Sequence, residues 1–156
     1  EITALFTSLL PLDERARLAS VQRAGTPPRI VEVADGDAGH YVAELGRIAE
    51  KAAGEEGLTA IVAADAARAN WIAKQLGKRV RLMERDSLMP ATGVVVMDLR
   101  MAKGLEFDHV VVHDAQAAVY PDTQLSRRRL YTAISRAMHE VTIVSQGELS
   151  PLVPRG

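Results

Sequence analysis

The sequence predicts an α/β domain, a mostly parallel sheet with helices packed on its faces. Two observations carry this. The apolar runs Leu58-Thr59-Ala60-Ile61-Val62-Ala63, Val94-Val95-Val96-Met97 and Val110-Val111-Val112 are short and mostly rich in β-branched residues, as strands buried on both faces of a parallel sheet are. Between such runs lie segments of about 10–15 residues with apolar side chains at helical spacing, the alternation that βαβ units produce. A length of 156 residues suits one domain with a core of its own.

The elements follow in chain order. Residues 1–24 read as helix broken at Pro11, with Leu12, Ala16, Leu18, Ala19 and Val21 as an apolar stripe and Asp13 as a cap. Gly25-Thr26-Pro27-Pro28 is a turn. Arg29 to Val33 alternates polar and apolar residues, the pattern of a half-exposed strand. After the turn Asp35-Gly36-Asp37, Tyr41, Leu45, Ile48 and Ala52 mark a helix over 40–56, ended by Gly54 and Gly57. The buried strand 58–63 follows, then a helix over 66–76 capped by Asp65 and ended by Gly77. Residues 79–83 form another strand and 84–93 a loop containing Pro90. The two valine-rich strands come next, then a helix over 123–138, and Val141 to Val144 closes the sheet.

Composition narrows the function. Hydrophobic content of 47% and charged content of 25% are those of an ordinary globular domain. A net charge of −1 gives no general pull toward nucleic acid or membrane, so such binding needs a local patch. The absence of cysteine excludes disulfides and thiolate metal sites and fits a reducing, cytoplasmic compartment. No apolar run approaches the roughly 20 residues that span a bilayer, and no signal peptide is expected. The chain starts at Glu1 and stops at Leu152-Val153-Pro154-Arg155-Gly156, which reads like a thrombin-cleavage linker left by an expression vector. The expectation is a piece of a longer protein, with residues 1–150 as one domain and 151–156 as a tag remnant outside the fold.

The chemistry concentrates in Ala102-Lys103-Gly104-Leu105-Glu106-Phe107-Asp108, between the two valine-rich strands. In an open α/β sheet ligands lie outside the carboxyl ends of the strands, and this segment leaves the carboxyl end of the first. Gly104 can let backbone approach a ligand and can equally be a turn glycine. Glu106 can accept hydrogen bonds from hydroxyls and can equally be a surface carboxylate. Leu105 and Phe107 read as core packing. Arg136 taken alone is a cation favoured by the dipole at a helix end. Arg127-Arg128-Arg129 reads as a solvated helix start, although three cations there oppose the dipole. Trp71, the single tryptophan, is expected to pack on the sheet, and the four histidines lack metal spacing and read as structural or surface residues. No Ser/His/Asp arrangement is present, and neither is a G-x-x-x-x-G-K-[ST] phosphate loop.

The segment AKGLEFD followed by a valine-rich strand resembles the fifth conserved motif of the UvrD/Rep-type superfamily 1 DNA helicases. Leu130-Tyr131-Thr132-Ala133-Ile134-Ser135-Arg136-Ala137 resembles their sixth, with Ser135 where the family has threonine, and Tyr120-Pro121 sits where the family carries an aromatic-proline pair. The likeness is specific over 93–144. It implies the second, C-terminal RecA-like motor domain of a helicase or translocase, a P-loop NTPase-type fold without the P-loop itself. It implies ATP with Mg2+ as cofactors, the metal ligands and phosphate loop coming from an N-terminal RecA-like domain. Arg136 would be the arginine finger on the γ-phosphate, Glu106 the ribose ligand, and Gly104 and Lys103 their neighbours at the nucleotide. Arg100 and Arg128 are the candidate contacts to single-stranded DNA. Asp98 and Arg100 stand where the family often has threonine and histidine. This departure shifts weight toward the helicase IV type and toward relatives that recycle RNA polymerase. The isolated fragment is expected to be inactive. A non-catalytic binding module with the same fold is the further alternative. Only the short loop 84–93 stands where many relatives carry a large insertion.

Overall fold

The computed structural model describes residues 28–153; the helix expected over 1–24 and most of the turn after it lie outside the described residues. Six strands form one parallel sheet in the order β1-β6-β5-β2-β4-β3. They are β1 (Arg29–Val33), β2 (Leu58–Ala63), β3 (Arg81–Leu82), β4 (Gly93–Asp98), β5 (Phe107–Val112) and β6 (Ala137–Gln146). Helices α1 (Ala38–Ala53) and α2 (Ala66–Leu76) cover one face; α3 (Leu99–Ala102) and α4 (Gln124–Ile134) cover the other.

Period-2 alternation decides which side chain meets which helix layer. Ala60, Val62, Val95, Met97, Val110, Val112 and Ile143 join Leu130, Ala133 and Ile134 of α4 in one core. Ile61, Val94, Val96, Val111 and Val144 point the other way, onto Tyr41, Leu45 and Ala49 of α1 and Ile72 of α2. Buried this way on both faces, the runs 60–63, 94–97 and 110–112 at the middle of the sheet carry no polar residue. The cap expected at Asp65 is present, and Asp37 and Thr123, not singled out as caps, accept backbone N–H bonds in the same way at the starts of α1 and α4. Gly57, at φ 92°, has a positional reason: a Cβ there would lie 2.5 Å from the Asp108 carboxylate that accepts the Leu58 N–H.

Four expectations change. The strand expected over 79–83 shrinks to two paired residues, because residues 77–79 form a single 3-10 turn. Strand β6 does not close the sheet; it lies between β1 and β5, and β1 takes the edge. Helix α4 stops at Ile134, not at residue 138, because the Arg136 carbonyl is taken by the Phe107 N–H at 2.9 Å and the next residues pair with β5. Residues 151–153, set aside on sequence grounds as outside the fold, belong to the packing: Leu152 and Val153 are buried in the α4-side core. The Ser150 hydroxyl fixes their approach by donating to the Tyr120 carbonyl at 2.6 Å.

Candidate functional site

Strands β4, β2 and β5 are parallel, so the eight residues 99–106 must cross from the carboxyl end of β4 to the amino end of β5. Asp98 starts this descent by accepting the Met101 N–H at 3.0 Å as the cap of α3, so its carboxylate is engaged rather than free. Lys103 follows the helix, and Gly104 turns the chain at φ 85°. No atom lies within 4 Å of where a Cβ on Gly104 would stand, so a ligand can reach this backbone. Lys103, Gly104 and Glu106 are exposed, Leu105 is half-buried and Phe107 is buried. Gly104 and Glu106 thus sit at the amino edge of the sheet, opposite to the carboxyl ends from which the segment departs.

Arg136 occupies the same edge. It immediately precedes β6, the neighbour of β5, and the Phe107-to-Arg136 backbone bond joins the two entry points. Its side chain is half-buried, with Nη2 donating to the Ser135 hydroxyl at 3.2 Å, which in turn donates to the Thr132 carbonyl. The Nε–H is buried with no protein acceptor, and among the described residues no carboxylate pairs with this guanidinium. A desolvated cation without a counter-ion is costly unless an anion joins it. The edge therefore offers a planar cation lacking an anion and a solvated carboxylate with free acceptors, a set that fits a phosphate and a pair of sugar hydroxyls.

Arg100 and Arg128 are not part of this constellation. Arg100 lies on α3 and lines a groove of about 480 Å³ with Met83, Met89, Met97 and Met101. Arg128 is exposed in the first half of α4, which returns from the carboxyl to the amino edge, beside an Arg127 paired with Asp122 at 2.9 Å. Among the described residues no group of three His, Asp or Glu side chains could hold a metal ion. Among the same residues no helix is long and apolar enough to cross a membrane.

The carboxyl edge holds a second cluster that sequence reasoning missed. The chain leaves β2 into α2 on one face and β5 into α4 on the other, so a crevice opens between these adjacent strands. There the buried Tyr41 hydroxyl accepts the Asp114 N–H at 2.7 Å and lies 2.6 Å from His113 Nδ1. His113 Nδ1 is the acceptor within reach of the hydroxyl's single hydrogen, and His113 Nε2 faces the Asp114 carboxylate at 3.3 Å, so the hydroxyl donates to Nδ1 and the His113 proton sits on Nε2. Asp114 adopts φ 57°, in the left-handed region, and its carboxylate faces Arg68 at 3.5 Å. Trp71 is not packed on the sheet as expected: α2 turns Ala69, Ile72 and Leu76 inward and leaves the indole 39% exposed. One side of the ring lies parallel to His113, at 4° and 6.4 Å between centroids. The visible hint was a histidine-aspartate pair closing a buried strand.

Burial pushes the His113 pKa below its ordinary value, opposed by the Asp114 charge, and burial does the same to His109, opposed by Glu140. Both are lowered in the folded state, so the unfolded chain binds more protons once pH falls below about 6.5. Stability should be full above that value and decline as pH falls from about 6.5 toward 5, by at most about 1.4 kcal/mol per pH unit for each histidine. Urea midpoints at several pH values check this; midpoints flat across that window would contradict it.

A family model described as the UvrD-like helicase C-terminal domain matches residues 93–144. Among solved structures, the chain is similar to the C-terminal domain of a possible DNA helicase from Lactobacillus plantarum WCFS1. That match has a TM-score of 0.76 and 32% identity, covering 99% of this chain and 90% of that one. A CRISPR-associated protein aligns over 93% of this chain and 22% of its own, at 14% identity and a TM-score of 0.49, too distant to carry any reading. No curated protein sequence matches the chain significantly.

Proposed function

Because the chain belongs to the UvrD-like helicase C-terminal domains, we propose that it is the second motor half of an ATP-dependent DNA helicase or translocase. In this reading the N-terminal half of the same protein supplies the phosphate loop and the Mg2+ ligands. This chain supplies the opposite wall: Arg136 to the γ-phosphate, Glu106 to the ribose hydroxyls, with Gly104 and Lys103 beside them. One observation carries the reading. The unpaired guanidinium of Arg136 shares an edge with Glu106, their strands joined by the Phe107-to-Arg136 backbone bond.

Arg136 stabilises charge that develops on the transferring phosphoryl oxygens, which its planar fork can meet with two parallel N–H donors. Glu106 orients the nucleotide through two acceptor oxygens. Closure of the two halves excludes water, and their reopening after hydrolysis alternates the grip on single-stranded DNA. The 156-residue chain alone should therefore show no ATP turnover above background in a coupled phosphate-release assay, and joining it to the N-terminal half should create the activity. Robust hydrolysis by the chain alone would end the reading.

A second reading, an ATPase that remodels RNA polymerase without unwinding DNA, is favoured by the departure at Asp98 and Arg100, the latter lining a groove beside the exposed Met89 and half-buried Met101. Strand-separation assays set against polymerase pull-down, both with the longer protein, separate the two.

A further inference from the structure

We infer that the exposed face of α2 is a binding surface for single-stranded nucleic acid, with Trp71 as the platform for one base and Arg68, Lys74 and Lys78 as phosphate contacts. This rests on the reading of the chain as half of a nucleic-acid motor, but it places the strand on residues none of that reading invokes. From Ala66 to Arg79 the chain carries four cations and no carboxylate, in a protein whose net charge is −1. Trp71 and Lys74 lie on the side of α2 away from the buried Ile72 and Leu76, the half-buried Arg68 flanks them one turn earlier, and Lys78 follows in the next turn. Arg79 is the exception, turned to the Leu76 carbonyl and Glu50.

The charges differ in availability. Arg68 pairs with Asp65 at 2.6 Å and approaches Asp114, whereas Lys74 and Lys78 form no ion pair among the described residues. Trp71 stands between these cations. His113 backs one side of its ring and is itself held by Tyr41, so the indole is ordered before any ligand arrives and loses little freedom on binding. An indole open to solvent and flanked by cations suits a chain of planar rings joined by phosphates. The patch also begins at the carboxyl-edge crevice between β2 and β5, a usual place for ligands in open α/β sheets.

Trp71 is the only tryptophan, so its emission reports on this surface alone. Titrating the 156-residue chain with a short oligothymidylate at low salt should quench that emission saturably. The variant Trp71→Ala should weaken binding of a labelled oligothymidylate, read by anisotropy, about tenfold, while Trp71→Phe keeps most of the affinity. Lys74→Ala should reduce the slope of log affinity against log salt by about 0.7. Oligonucleotide binding that leaves the emission unchanged and ignores Trp71→Ala, but is lost in Arg100→Ala, would overturn the inference. So would an absence of binding, or quenching by an acidic polyglutamate peptide as strong as by the oligonucleotide. None of these failures touches the nucleotide edge, which is tested by turnover.

Discussion

Replacing Arg136 by alanine in the protein that carries both motor halves is expected to lower kcat for ATP hydrolysis about 10³-fold or more, roughly 4 kcal/mol of transition-state stabilisation. KM for ATP should move far less, because the charge that the guanidinium meets grows mainly in the transition state. The fold should survive. The sheet bond at this position uses the Arg136 backbone carbonyl, and among the described residues the side chain's one hydrogen bond is to Ser135. Arg136→Lys is the sharper control: it keeps the charge, loses the planar fork and is expected to recover little of the rate. Steady-state turnover within about tenfold of the parent, about 1.4 kcal/mol, would show that the guanidinium is a structural cation.

Tyr41→Phe should destabilise the chain by about 3 kcal/mol, although the substitution changes almost no volume. The hydroxyl serves two groups in the interior, donating to His113 Nδ1 and accepting the Asp114 N–H. Its loss leaves a ring nitrogen and a backbone N–H unpaired away from water, and each such orphan costs about 1–3 kcal/mol. Burial holds the Tyr41 hydroxyl protonated far above the ordinary tyrosine range, so the donor is present at every ordinary pH. Chemical denaturation of the chain measures the loss, and combining Tyr41→Phe with His113→Phe should cost less than the two single changes added together, because the pair shares one bond. A single-variant effect below about 1 kcal/mol would mean that solvent reaches the cluster.

What the sequence disclosed and what it hid divide by range. The strand 58–63 and helix 66–76, with Asp65 and Gly77 at the helix ends, appear where periodicity and caps put them, since those signals are local. The end of α4 was misplaced because Ala137 and Met138 continue a good helical pattern; a sheet bond from Phe107 decides otherwise. The edge carrying Gly104 and Glu106 depends on strand directions, which emerge only once β4, β2 and β5 are known to be parallel. Tyr41 and His113 stand 72 residues apart and give no neighbourly sign of each other. Trp71 needed only its angle: at about 100° per residue, it falls off the stripe of Ala69, Ile72 and Leu76. Leu152 and Val153 looked like linker because their sequence suits one, yet they are apolar and reach an open stretch of core.

The strand length sets a separation with a mechanical meaning. Six residues at about 3.3 Å each place the rim bearing Arg136 and Glu106 roughly 20 Å from the rim bearing His113 and Trp71. No side chain bridges that span, so ligands at the two rims cannot touch a common residue. Between them runs a stiff slab of valines clamped by helices on both faces. A small rotation of the slab pivoting at the nucleotide would sweep the far rim through a larger arc, as a lever does.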